Sequence, residues 1–194
     1  MKNVLVLSQK GGVGKTTLAD ELAFAFARDG TPVAFYETDE QGDAIHETTE
    51  PADADVAVID TPGVLTDDTP DMVRDASFVI IPTRASTHDM PALNRTREMV
   101  ATYAPGVPVL IVLNGWNRWT NARQYSEWLE SDLRPTESVA VLSQSEMVPR
   151  SAAAGVSVVA FAPRSRVARD LAEIELRVRA ALGMESADGS QIDG

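Results

Sequence analysis

Residues 3–17 read NVLVLSQKGGVGKTT: a short apolar run, a turn carrying Gly11, Gly12 and Gly14, and then Lys-Thr-Thr. In the residues that follow, LADELAFAFARDG, Leu18, Leu22, Ala23, Phe26 and Ala27 recur at helical spacing, and Gly30 supplies a stop. Strand, glycine-rich turn and helix, in that order, build a phosphate cradle. Glycines let successive backbone N–H groups converge on phosphate oxygens with no Cβ in the way, and the helix N-terminus adds its positive end. In such a turn Lys15 reaches the β and γ phosphates and the Thr16 hydroxyl ligates Mg²⁺. The expected nucleotide contacts are therefore Gly11, Gly12, Val13, Gly14, Lys15, Thr16 and Thr17. The stretch departs once from the common pattern, GxxxxGK followed by Ser or Thr: Gln9 stands where the first glycine would, with Lys10 next.

Beyond this unit the chain alternates. Apolar runs predict strands at 31–36, 54–60, 77–82, 107–114 and 139–142, with helices between them at about 67–75, 89–103 and 120–133. Several of the runs are continuously apolar, as parallel strands covered on both faces require. The spacing repeats βαβ units, which predicts an α/β fold with a doubly wound, mostly parallel sheet and helices on both faces. Residues 165–183 place Val167, Leu171, Ile174, Val178 and Leu182 on one stripe of a closing helix. Residues 1–183 are expected to form one domain, and the polar, acidic residues 184–194 a frayed tail.

Composition narrows the partners. The 194 residues hold 17 Lys and Arg against 29 Asp and Glu, a formal charge of -12, so the whole field repels nucleic acid unless cations gather on one face. The charge is uneven: residues 37–75 carry thirteen acids and one base, Arg74, whereas residues 148–182 carry six Arg against Asp170, Glu173 and Glu175. That late segment reads either as an anion-facing patch or as paired charges on a solvated helix. With zero Cys, disulfides, thiolate catalysis and cysteine-held clusters are excluded. The first apolar run is far too short to cross a bilayer, and a cytoplasmic location is expected.

Three boxes then carry a resemblance. The loop KGGVGKTT resembles the deviant Walker A box of the ParA/MinD family of P-loop ATPases, and the likeness extends over nearly the whole chain. Glu37-Thr38-Asp39-Glu40-Gln41-Gly42-Asp43 resembles that family's DxDPQGN box, with Glu37 in place of its first Asp. Residues 56–63, VAVIDTPG, resemble its Walker B box. The resemblance implies a P-loop NTPase fold, ATP and Mg²⁺ as cofactors, and an ATP-sandwich homodimer in which Lys10 crosses to the partner's phosphates while Lys15 acts within its own subunit. A second ammonium at the γ-phosphate would balance charge that develops during transfer. Asp39, just past the second strand, is assigned to orienting the attacking water and to the metal region. Asp60, at the end of the third strand, holds Mg²⁺ through water. Glu37 either faces the site or makes a supporting contact. Thr61, Pro62 and Gly63 begin a loop able to register the γ-phosphate, and the resemblance places Asn114 at adenine and Pro149 with Arg150 in the other base-side loop.

Within the family, relatives that use cysteine are disfavoured, and the acidic terminus SADGSQIDG is not the basic amphipathic helix that lies on lipid, so no membrane partner is expected. The leading expectation is a short ParA-like ATPase for DNA partition or cargo positioning, slow and stimulated by a ParB-like or cargo adaptor and by DNA. Such a protein would be nucleoid-associated within the cytoplasm. Arg164, Arg166, Arg169, Arg177 and Arg179 are the candidate contacts to nonspecific DNA. Two other readings stay open here: an ATP-dependent amidase- or ligase-like biosynthetic enzyme, and a nucleotide-gated interaction protein with little turnover.

Overall fold

The computed structural model describes residues 1–38, 44–49, 53–64, 66–117 and 122–184. Six parallel strands form one sheet: β1 (Lys2–Val6), β2 (Val33–Glu37), β3 (Val56–Asp60), β4 (Phe78–Arg84), β5 (Val109–Trp116) and β6 (Glu137–Ser143). Their order across the sheet is β2-β3-β1-β4-β5-β6. The helices are α1 (Lys15–Arg28), α2 (Thr69–Arg74), α3 (Met90–Tyr103), α4 (Ala122–Ser131), α5 (Met147–Ala153), α6 (Val158–Phe161) and α7 (Arg166–Leu182). The expected doubly wound parallel sheet is thus present, and every predicted strand and helix has its counterpart within a few residues.

Alternation along the strands divides the core into two layers. Val4, Val6, Phe35, Val58 and Ile80 pack with α1 and α7 on one face, where Leu18, Phe26, Val167, Ile174 and Val178 are buried. Leu5, Leu7, Val79, Ile81 and Ile111 point to the other face, against Val73, Leu93 and Leu129. The predicted stripe of α7 is buried in full, from Val167 to Leu182. Helix α1 departs from its expected stripe at Ala27, which is exposed, whereas Ala19 and Ala25 are buried. Gly30 does end that helix: its φ of 74° turns the chain so that the Gly30 and Thr31 N–H groups donate to the Ala27 and Phe26 carbonyls.

The second layer is locked by a buried cation. Arg97, on α3, is 4% exposed and donates to the Glu137 carboxylate at the start of β6, to Asp132 Oδ2 at 2.8 Å and to the Asp132 carbonyl at 2.7 Å. This network ties α3 to the residue after α4 and to the edge strand, and fixes the face of α3 turned toward the first loop.

The chain runs from β1 outward to β2 and back to β3, then crosses β1 to reach β4. The carboxyl ends of β3, β1 and β4 therefore open around one crevice, where open α/β sheets bind ligands.

Two helices, α5 and α6, fill residues 145–162, for which no element was expected. Pro149 and Arg150 accordingly stand in a helix and not in a loop. Pro149 is tolerated because it occupies the first turn, where its missing N–H would have no helical acceptor.

Candidate functional site

The first loop leaves β1 and enters α1 through Gly14, whose φ of 93° only glycine adopts without strain. A Cβ there would also lie 2.2 Å from Asn114 Nδ2, so any side chain would have to displace that amide from the Val13 carbonyl. Gly11, Gly12, Gly14, Lys15, Thr16 and Thr17 line a cavity of about 500 Å³ together with Val148, Ser151 and Ala152 of α5, Ile45 and Gly63. A second cavity of about 540 Å³ adjoins it along Val148, lined by Arg84, Asn114, Gln144 and Pro149 among others. The two meet at Val148: the first lies at the start of α1, the second at the ends of β4 and β5.

The charged groups around the first cavity have distinct surroundings. Lys15 is 8% exposed, and a Cβ on Gly63 would sit 3.6 Å from its ammonium, so the Thr61-Pro62-Gly63 turn closes directly over this cation. Thr61 holds the base of that turn by donating its hydroxyl to the Val6 carbonyl at 2.8 Å. Thr16 donates its hydroxyl to Asp60 Oδ2 at 2.7 Å. Asp60 is fully buried and its Oδ1 has no hydrogen-bond partner among the described residues. Burial pushes its carboxyl up to about 6, against the pull of the Thr16 hydroxyl and the Lys15 ammonium. A buried carboxylate oxygen without a donor, beside a hydroxyl, fits a hard divalent cation that takes oxygen ligands. Among the described residues no cluster of three or more His, Asp or Glu could hold a metal by itself. Thr16 and Asp60 suit Mg²⁺, which leaves most of its coordination shell to phosphate and water.

Lys10 does not join Lys15. Its ammonium lies 3.4 Å from Asp89 Oδ1 at the start of α3, with the lysine side chain 45% exposed and the aspartate 7%. Neighbouring contacts hold the same limb of the loop: the Gln9 N–H donates to Thr96 Oγ1 and Arg95 Nε donates to Gln9 Oε1. Glu37 makes a supporting contact, its Oε1 accepting the Ala44 N–H at 3.2 Å. Asp39 lies outside the described residues, as do residues 185–194 of the expected tail.

A family model for the CobQ/CobB/MinD/ParA nucleotide binding domain matches residues 4–158. The chain belongs to this family. Among solved structures, a Cyanothece McdA variant in complex with ATP is 16% identical over 96% of this chain and 98% of its own, with a TM-score of 0.75. MinD of Pyrococcus horikoshii OT3, complexed with Mg-ADP, is 18% identical over 94% and 97%, at 0.69. A plasmid partition protein of Borrelia burgdorferi B31 bound to AMPPNP is 15% identical over 91% and 99%, at 0.68. At these identities the likeness is one of fold. Among curated proteins none matches the sequence. In this CobQ/CobB/MinD/ParA domain, among the described residues, no helix is long and apolar enough to cross a membrane.

The five late arginines divide. Arg179 is 3% exposed, donates to Glu175 and Asp29, and lies 4.8 Å over the Phe26 ring; it is a buried strut between α7 and α1, out of reach of any DNA. Arg177 is half-buried and spent on Glu173 and the Val139 carbonyl. Arg164, Arg166 and Arg169 are exposed and have no ion pair among the described residues. Asp170, which could have neutralised them, accepts the Ser143 N–H at 2.8 Å instead.

Two acids of α1 escaped the sequence reading, although they follow the Lys-Thr-Thr by one helical turn. Asp20 accepts the Ile45 and His46 N–H groups and pairs with His46 Nδ1 at 2.9 Å, clasping the segment after β2 against the first cavity. Glu21 accepts the Val158 N–H at 2.8 Å, while its buried Oε2 has no partner among the described residues. Burial pushes Glu21 up to about 7. An acid whose folded pKa is raised binds extra protons in the native state, so its contribution to stability is full at low pH and is lost as pH rises from about 4.5 to 7. Glu21→Gln is expected to gain on the wild type by about 2 kcal/mol between pH 5 and pH 8. Urea unfolding of both proteins at the two pH values measures it; parallel stabilities would remove Glu21 from the pH dependence.

Proposed function

We propose that the protein is a ParA-like ATPase that forms an ATP-sandwich homodimer and positions DNA or another cargo. The observation that carries this reading is the separation of the two loop lysines: Lys15 lines its own phosphate cavity, whereas Lys10 points out of it, half-exposed, on the side of Asp89. A cation held outside its own site but beside it is placed to serve a facing copy.

In this mechanism the N–H groups of residues 11–17 and Lys15 bind the β and γ phosphates of ATP. Thr16 and Asp60 would hold Mg²⁺, which when bound neutralises charge on those phosphates. Lys10 of the partner subunit brings positive charge to the γ-phosphoryl oxygens, where it balances negative charge in the transfer, and Asp39 orients the water that attacks the phosphorus. Gly63, against Lys15, registers whether that phosphate is present. Asn114 and Pro149 flank the base, and among the described residues half of the hydrogen-bonding capacity of the Asn114 amide is left for adenine.

The exposed arginines support nonspecific DNA as a partner. Arg166 and Arg169 sit in the first turn of α7, where the helix dipole disfavours cations, and among the described residues no carboxylate offsets them. Phosphate would. Arg164, Arg166 and Arg169 are therefore the DNA contacts of this proposal, doubled in a dimer, with an adaptor stimulating turnover.

Light scattering with Mg-ATP tests the core of it: the mass is expected to double with ATP and to stay monomeric with ADP. Retention on DNA should appear only with ATP, fall steeply between about 50 and 200 mM salt, and be lost when Arg164, Arg166 and Arg169 become Glu. An unchanged mass sinks the sandwich; unchanged retention in the triple variant removes this patch.

A further inference from the structure

Arg84 is the last residue of β4, and six buried residues precede it in that strand. It is exposed, lines the second cavity, and among the described residues has no carboxylate partner, in a chain with 29 acids to choose from. Its guanidinium instead donates to the backbone: Nη2 lies 2.5 Å from the Gly12 carbonyl oxygen. The neighbouring strand repeats the arrangement. Asn114, paired with Arg84 in the β4–β5 register, donates Nδ2 to the Val13 carbonyl at 2.7 Å. Two adjacent strand ends thus hold two consecutive carbonyls of the first loop.

A trans peptide is planar, so its C=O and N–H point in opposite directions. Holding the Gly12 carbonyl toward β4 turns the Val13 N–H away from it, and holding the Val13 carbonyl toward β5 does the same for the Gly14 N–H. Gly12 and Gly14, on either side of Val13, line the cavity that Lys15 and Thr16 also line. Among the described residues no side chain crowds Gly12: its φ is 71°, and apart from its chain neighbours no atom lies within 4 Å of where a Cβ would stand. A free glycine peptide at this point would rotate, and each loop N–H would have to be ordered at the moment of binding.

We propose that Arg84 is a positioning residue of the phosphate cradle: by holding the Gly12 carbonyl it aims the Val13 N–H at the nucleotide's phosphates. The inference rests on the nucleotide reading above and adds to it a residue outside the loop. One guanidinium donor is used on the carbonyl, and the positive charge beside the loop acts in the same direction.

Calorimetry with Mg-ADP and amide NMR on the ligand-free and loaded chain test it, using Arg84→Met and Arg84→Lys. Arg84→Met keeps the bulk and loses both donor and charge. It is expected to weaken Mg-ADP about tenfold, the scale of one charge-assisted hydrogen bond, without moving the ligand-free unfolding midpoint, and Arg84→Lys is expected to recover most of the loss. The Val13 amide proton should shift strongly on Mg-ADP binding in the wild type and lose that shift in Arg84→Met, while the Gly14 amide, aimed by Asn114, keeps its own. Mg-ADP binding by Arg84→Met within twofold of the wild type overturns the proposal, as does a Val13 amide that responds equally in both. A wild-type chain that binds no Mg-ADP overturns the nucleotide reading itself, which separates the two failures.

Discussion

Asp60→Asn is expected to make the metal-free protein more stable and the enzyme nearly inactive. The carboxyl is fully buried, one oxygen is satisfied only by Thr16 and the other by nothing among the described residues, and burial has pushed its pKa up to about 6. At pH 8 it is nonetheless ionised, so the fold carries an under-solvated charge. Lys15, whose own ammonium sits nearby, offsets part of it. An amide keeps the shape and the acceptor for Thr16 and removes the charge, worth about 1–3 kcal/mol in the absence of metal. With Mg-ATP the order reverses: the wild type gains the binding free energy of the ligand, and the variant, lacking the anionic oxygen, gains much less. Turnover should fall by about 100-fold or more, the scale of losing one preorganised electrostatic partner at a transferring group. Thermal unfolding with and without Mg-ATP, beside a phosphate-release assay, measures both halves. A variant less stable than the wild type without metal would mean that the Asp60 charge is compensated by the fold itself and not reserved for a cation.

The same buried carboxylate marks how far the sequence could be read. Asp60 stood out in the sequence because it ends an apolar strand within a stretch, VAVIDTPG, that resembles the Walker B box. The loop, the six strands and the long helices were legible because each is written in local periodicity, and α7 even buries the stripe that its spacing implies. Helices α5 and α6 were not, since seven and four residues are too few to establish a period, and Pro149 inside the first argues locally against a helix. The arginines failed differently. Arg164 and Arg179 look alike in a list of cations, yet one is exposed and the other lies buried between Glu175, Asp29 and the Phe26 ring. Only packing of α7 on α1 separates them. Arg84 carried no signal at all, because its partner is a backbone carbonyl 72 residues earlier, and carbonyls leave no trace in a sequence.

Lys10→Ala is expected to abolish the ATP dimer and lower turnover about a thousandfold, the lower end of what a cationic finger contributes to phosphoryl transfer, with Mg-ATP binding to the monomer nearly unchanged. In the single chain Lys10 is paired with Asp89 at 3.4 Å, the lysine side chain 45% exposed and the aspartate 7%, so water reaches the contact from the lysine side. Leaving it unpairs the largely buried Asp89, so the ammonium moves when the gain at a triphosphate, which carries more negative charge than one carboxylate, exceeds that cost. Removing Lys10 also strands the buried Asp89, so a general disturbance of α3 must be told apart from loss of the crossing cation. Lys10→Ala combined with Asp89→Asn removes both partners, and should dimerise no better than Lys10→Ala alone. Mixing gives the sharper test. A Lys10→Ala chain has an intact metal site and no lysine to lend; an Asp60→Asn chain has the reverse. A mixed pair contains one complete site only if the lysine serves the opposite subunit, so turnover should return on mixing two nearly inactive proteins. If light scattering shows the mixed dimer and turnover does not return, Lys10 acts within its own chain and the sandwich geometry is wrong.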